Sequence, residues 1–365
     1  MTDYQQRKEI LKELQTKRKS TILTYFNLTD RPYALNTNIA EDSILPVHSL
    51  LKQIGEKDRI ELFLYTRGGT LLTAYTIVKM IREYTKNFNV IIPFRAHSAG
   101  TLIALGANQI VMTKLGQLGP IDPSTPNIFN PLINPAGNLA DLGNRKSISV
   151  EDVQAFLNFS KDTVGLQETN QQLEVFKELT KSIEPLALGN VNRVYAEHRL
   201  MAKELLSYHI NGDNKAEKID NIIKIFSETY THNFVITRDN AEKFELNIER
   251  PDNVEEALIM KLFESYKDEM KMTIPFDSEA IFNSRRIPAQ PPKTVTPLLG
   301  GQSPQQPQQI PIAIFKTKLG AIESLDNSYM FIQNGFVNPQ NTPPITYKIG
   351  TWYPHNKLEA PANYD

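Results

Sequence analysis

RIELFLYTRGGTLLTAYTIVKMIREYTKNFNVIIPFRAHSAGTLIALGANQIVM, residues 59–112, alternates two hydrophobic textures. RIELFLYT is a strongly apolar run of strand length, and TLLTAYTIVKMIREYTK carries apolar residues at helical spacing. NVIIPFRA is a further buried strand, SAGTLIALGA a helix whose small residues allow close packing, and QIVMTK the next strand. Strand and helix alternate, so a parallel sheet with covering helices is the economical α/β fold.

Two glycine-containing turns, YTRGGT at 65–70 and AHSAGT at 96–101, each follow a buried strand and each open a helix. The N-terminus of a helix presents backbone N–H groups and partial positive charge, so both turns can hold an anion, including a developing oxyanion. Gly68 and Gly69 let the backbone turn sharply and approach a ligand. Ser98 would expose its hydroxyl at a helix start beside the N–H of Ala99, an arrangement close to a nucleophile elbow but without G-x-S-x-G. Taken alone, a serine at such a junction is more often an N-cap than a nucleophile. The same turns could hold a phosphate, but neither G-x-x-x-x-G-K-[ST] nor G-x-G-x-x-G occurs.

The 365 residues suffice for one large core with additions, and 40 basic against 41 acidic side chains leave no electrostatic footprint for nucleic acid or an anionic membrane. The absence of cysteine removes disulfides, thiolate metal sites and thiol nucleophiles, leaving Ser, Thr, Lys or a carboxylate for covalent catalysis. Six scattered histidines form no H-E-x-x-H or other ligand spacing, so no metal and no cofactor is expected. The charged first 20 residues lack an apolar h-region and no later run reaches bilayer length, so a cytoplasmic protein without a membrane span is expected.

Residues 1–19 predict an N-terminal amphipathic helix, carried by Ile10, Leu11 and Leu14, with a surface or assembly role in view. STILTYF predicts a strand and EDSILPVHSLLKQIG a helix. SVEDVQAFLNFSKD opens with a capping arrangement, and long helices are predicted over 166–182 and 190–208. THNFVITRDNAEKFELNIE predicts strand, helix turn and strand, followed by the helix NVEEALIMKLFESYKDEM. Composition places the main domain at 20–275, a Pro/Gln-rich linker at 276–310, and a small C-terminal extension of short strands and turns at 311–365.

Three of these motifs, YTRGG, AHSAGTLIALGANQIVM and LGPIDPS, together resemble the serine dehydrogenase proteinase family of the Clp-protease and crotonase superfamily, related to signal peptide peptidase A. TKRKSTILTYF, EDSILPVHSLLKQI and THNFVITRDNAEKFELNI extend the likeness over about residues 12–270. The resemblance implies a ClpP/crotonase-like ββα superhelix with covering helices, to which the Pro-rich C-terminal extension is added. It also implies Ser98 as nucleophile, an oxyanion hole from the Gly68–Gly69 turn and the Ala99 N–H, peptide bonds as substrate, and assembly into homo-oligomers. Where that family has HTPGG this chain has YTRGG, so Arg67 replaces a proline and could bind a substrate carboxylate or phosphate.

A serine nucleophile needs a proton acceptor. The Clp histidine position falls at about Asp122 in GPIDPS, and the Clp aspartate position at Thr229, near Glu228 and His232. Two repairs are open. His232 could act as base with Asp122 orienting it, or Lys146 in GNRKSISVEDV could act as the lysine of signal peptide peptidase A does, provided it is desolvated. His97 ranks third, because adjacent side chains in such a turn point apart, and it is expected to shape the pocket. Asp122 could instead be structural in its Pro-rich turn. A serine peptidase is the leading expectation. A silent fold that binds a partner through its C-terminal extension, and a crotonase-like acyl-CoA enzyme, are the alternatives.

Overall fold

A computed structural model describes residues 3–33, 36–121, 124–125, 128–138, 140–146, 148–228, 234–287, 312–338, 345–348, 350–358 and 364. The chain divides into two units, one built from residues 1–66 and 252–365, the other from 67–251. The first begins with α1 (Asp3–Arg18), β1 (Thr21–Asn27), α2 (Ile44–Ile54) and β2 (Arg59–Tyr65). β1 and β2 pair in parallel from Thr21↔Ile60 to Phe26↔Tyr65. Both are buried along nearly their whole length, which is why they read as continuous apolar runs.

The second unit continues with α3 (Leu71–Tyr84), β3 (Asn87–Ile92), β4 (Arg95–Ala96), α4 (Ala99–Leu105), β5 (Gln109–Met112) and β6 (Gln117–Leu118). A short ladder of β7 (Ser124–Thr125) and β8 (Ile148–Ser149) leads into α5 (Val150–Asn158), α6 (Thr169–Ser182), α7 (Pro185–Ser207) and α8 (Lys215–Glu228). β9 (Ile236–Thr237), α9 (Arg238–Lys243) and β10 (Ile248–Glu249) close it. β3, β5 and β10 form a parallel ladder, while β4 pairs in parallel with β6, which pairs antiparallel with β9. The predicted alternation of strand and helix, the two long helices and the closing strand–helix–strand are all present. α4 is buried throughout, and a Cβ on Gly106 would lie 2.7 Å from Val78 of α3, so small residues do permit a close helix approach.

The first unit resumes with α10 (Asn253–Glu269), α11 (Ser278–Arg285), β11 (Arg286–Ile287), β12 (Ile312–Glu323), β13 (Ser328–Val337), β14 (Ile345–Tyr347) and β15 (Thr351–Pro354). Here the domain boundaries expected from composition differ from the structure. β12 is a 12-residue strand that pairs antiparallel with β1 from Thr24↔Glu323 to Asn27↔Gly320, and β13 pairs along most of it. Residues 312–337 are therefore part of the sheet that begins with β1, because β1 needs a second neighbour to satisfy its backbone. Of the expected linker, 276–287 hold α11 and β11, and 288–311 lie outside the described residues.

The N-terminal helix is likewise integrated. Ile10, Leu11 and Leu14 are buried and α1 packs on α10. Its two buried arginines explain a charged sequence on a core face. Arg7 is fully enclosed and donates to Glu323 at 2.6 and 2.8 Å and to Glu269 at 2.5 Å, with the hydroxyl of Tyr266 also donating to Glu323. Arg18 makes a bidentate pair with Glu61 on β2 at 2.7 and 2.9 Å. Removing one partner from such a pair costs about 3–5 kcal/mol, because the other charge stays buried.

Candidate active site

The two glycine-containing turns meet in the second unit. Gly68 and Gly69 have φ of +122° and +146°, conformations that L side chains rarely adopt. A Cβ built on Gly68 would lie 2.8 Å from the Ser98 Cβ, 3.0 Å from the His97 carbonyl and 3.3 Å from the Ser98 Oγ. The absence of a side chain at residue 68 is thus what allows the first turn to press on the second.

Ser98 itself has φ 49° and ψ −112°. A non-glycine residue at positive φ costs of order 1–3 kcal/mol and persists where surrounding structure holds it, most often at functional sites. No side-chain capping bond is made, so the N-cap reading of Ser98 has no support in the hydroxyl's geometry. Ser98 is half-buried beside Gly68, at a sharp strand-to-helix corner. Ala99 is buried directly after it, and the following turn is fixed by Gly100 N–H to His97 O at 2.8 Å and Leu102 N–H to Ser98 O at 3.0 Å. At seven residues α4 is short, so individual N–H groups matter here more than any helix macrodipole.

Thr101 locks the corner from below, a role the sequence did not disclose. Its buried hydroxyl lies 2.8 Å from the carbonyls of both Ala96 and Gly119 and accepts from the Gly119 N–H at 3.1 Å. This ties β4, α4 and the LGPI turn together. His97 packs its ring on Gly119, whose Cβ would lie 3.2 Å from the imidazole Cγ. Arg67 is exposed immediately before Gly68.

The base candidates are placed as follows. Lys146 is exposed, with its N–H bonded to Pro131 O at 2.8 Å and its carbonyl accepting from Asn130. Asp122, Thr229 and His232 lie outside the described residues. One titratable group went unremarked in the sequence, where a lone histidine on the apolar stripe of a helix reads as core. His198 of α7 is half-buried, and desolvation pushes its imidazole down to about 4. A cleft of about 800 Å³ in the first unit is rimmed by charged groups such as Glu269 and Lys318, which pair with each other, and it has no counterpart of the Ser98 corner.

Comparison with known proteins bears on the family and the fold. Residues 1–158 match the ClpP-like SDH-type serine proteinase family. That stretch contains both glycine turns, Ser98 and Lys146, and the parallel-rich mixed α/β architecture is consistent with a ClpP-like fold. The family match supports a peptidase. Two relatives are uncharacterized proteins of Methanocaldococcus jannaschii, one 30% identical over 47% of this chain and 65% of its own length, the other 28% identical over 58% of each. The chain thus spans about three fifths of these relatives. A membrane-bound stomatin-specific protease, solved as a mutant with a substrate peptide, is similar over 59% of this chain and 73% of its own at 18% identity and a TM-score of 0.32. Among the described residues, no helix is long and apolar enough to cross a membrane.

Proposed function

We propose that the protein is a serine peptidase in which Ser98 Oγ attacks the carbonyl carbon of a peptide bond. As the Oγ–C bond forms, the hydroxyl proton passes to a base. The carbonyl oxygen becomes an oxyanion held by N–H groups of the Gly68–Gly69 turn and Ala99. Collapse breaks the C–N bond, the amine leaves with a proton, and water then hydrolyses the acyl-enzyme. The observation carrying this reading is the strained Ser98 backbone in contact with a glycine at φ +122°.

For the base, Lys146 and the His232–Asp122 pair remain the two assignments. A lysine must be buried to act as base near neutral pH, and Lys146 is exposed in the single chain. The lysine assignment therefore goes together with self-assembly that covers this loop. Exposed apolar side chains at Phe156, Phe159, Phe176, Leu186 and Leu200 fit burial against a second copy. A cytoplasmic location and a partner for the C-terminal region complete the proposal.

Labelling with a fluorophosphonate tests it. The wild type should be modified once per chain and Ser98→Ala not at all. Lys146→Ala and His232→Ala should separate the bases, the true one lowering the labelling rate by about 10²–10⁴. A wild type that stays unlabelled across its oligomeric states would leave the silent-fold reading in possession.

A further inference from the structure

Ser98 immediately precedes α4, a helix of seven residues. About two turns are too few for a helix to hold itself in place, so its seat depends on what grips its ends. Its sequence, AGTLIAL, is small and apolar, and every residue of it is buried. Apolar burial is non-directional, whereas hydrogen bonds fix both distance and angle. At the Ser98 end that grip comes from Thr101, whose hydroxyl meets Ala96 and Gly119.

At the other end, four successive carbonyls each receive a donor. Gly106 N–H donates to Ile103 O at 3.1 Å and Ala107 N–H to Ala104 O at 3.0 Å, which closes the last turn locally. The next two are gripped from outside the helix. His209, two residues beyond the end of α7, donates from Nε2 to Leu105 O at 2.9 Å, and Arg82 of α3 donates from Nη2 to Gly106 O at 2.6 Å. Arg82 is itself held, donating to Asn108 Oδ1 at 2.8 Å and Lys86 O at 3.0 Å. A carbonyl only accepts, so His209 Nε2 carries the ring proton. Burial, with the positive charges of Arg82, Lys218 and Lys215 around it, pushes this imidazole below its ordinary value, which suits a neutral donor.

Leu105 and Ser98 are seven residues apart, about 10 Å along the helix axis. Over so short a hydrogen-bonded rod, a shift at one end is passed to the other. The Ser98 backbone, at φ 49°, persists only while its surroundings hold it. We propose that His209 is a positioning residue for Ser98, which acts through α4: its bond to Leu105 sets the seat of the helix, and so the place of the Ser98 hydroxyl against Gly68. The catalytic consequence rests on the peptidase reading, but the seating of α4 does not.

The test compares His209→Leu, His209→Gln and Glu204→Ala in the full chain. Gln can still donate to Leu105 O, and Glu204→Ala loosens α7 against α3 by removing the bonds from Tyr75 and Lys79, both on α3. His209→Leu should slow the saturating step of fluorophosphonate labelling at least about tenfold, since a displacement of 1 Å costs about 10². His209→Gln should stay within about threefold of wild type, and so should Glu204→Ala, whatever melting temperature it loses. Hydrogen exchange read by mass spectrometry gives a second measure, because the Gly100 and Leu102 amides bond to His97 O and Ser98 O. They should exchange faster in His209→Leu and not in Glu204→Ala. Wild-type labelling and exchange in His209→Leu, equal slowing in Glu204→Ala, or a Gln variant no better than Leu overturns the inference. If wild type itself never labels, the peptidase reading falls alone, and exchange at Gly100 and Leu102 decides the role of His209.

Discussion

Gly68→Ala is the substitution that most directly interrogates how the two turns meet. The added methyl would sit 2.8 Å from the Ser98 Cβ and 3.0 Å from the His97 carbonyl, whereas ordinary contact begins near 3.4 Å. Neither neighbour is the far end of a flexible chain, so the turns must part by about 0.6 Å. An alanine at φ +122° adds backbone strain of order 1–3 kcal/mol. Displacement of a nucleophile by about 1 Å costs on the order of 10² in rate, and loss of an oxyanion donor about 10²–10³. The expected result is therefore a fluorophosphonate labelling rate reduced at least about 10²-fold, with a melting temperature lower by several degrees. Gly165→Ala is the control, with φ +82° and nothing within 4 Å of its Cβ. It should share the strain but keep the labelling rate. If Gly68→Ala labels as fast as wild type, the turn does not position Ser98 and the oxyanion assignment fails.

Ser98→Gly should abolish labelling yet raise stability by about 1 kcal/mol, seen as a melting temperature higher by a few degrees, because glycine adopts φ 49° without strain; unchanged or lowered stability would contradict a strained corner. Thr101→Val should cost about 1–3 kcal/mol in urea unfolding, by leaving the Gly119 N–H and two carbonyls without the hydroxyl, and should slow labelling through the displaced corner. In the first unit, burial works to raise the Glu61 carboxyl, but the Arg18 hydrogen bond and the charges of Arg18 and Arg59 hold it below its ordinary value. A depressed carboxyl contributes stability that is complete above the unfolded value, about 4.3, and fades as pH falls through the folded one. Glu61→Gln should therefore destabilise at pH 7 by about 3–5 kcal/mol and flatten the loss of stability as pH falls below about 4.3, measured by denaturant midpoints.

What could be read from the chain and what could not divides along the distance between partners. The strands and helices of 59–112 announce themselves by local periodicity, and the glycine turns by residue type. Nothing local says that Gly68 touches Ser98, which the combination of motifs had to supply. Arg7 and Arg18 look like solvated charges until Glu323 and Glu61 arrive, the first 316 residues away. β12 was hidden for the same reason, since its antiparallel partner is β1, and the Pro/Gln-rich stretch before it suggested an ending. Lys146 fits a catalytic spacing by count, but spacing carries no information about solvent exposure, and in the structure it is exposed.

The pairing of β1 with β12 sets an order of events during synthesis. Thr24 and Glu323 are 299 residues apart, so β1 leaves the ribosome on the order of 15–60 s before its antiparallel neighbour exists, at about 5–20 residues per second. The segment from 67 to 251 that carries Ser98 is complete well before then. The residues of the Ser98 corner are thus synthesised while Arg7 still awaits Glu323. A nascent chain arrested before β12 would hold β1 without its antiparallel neighbour.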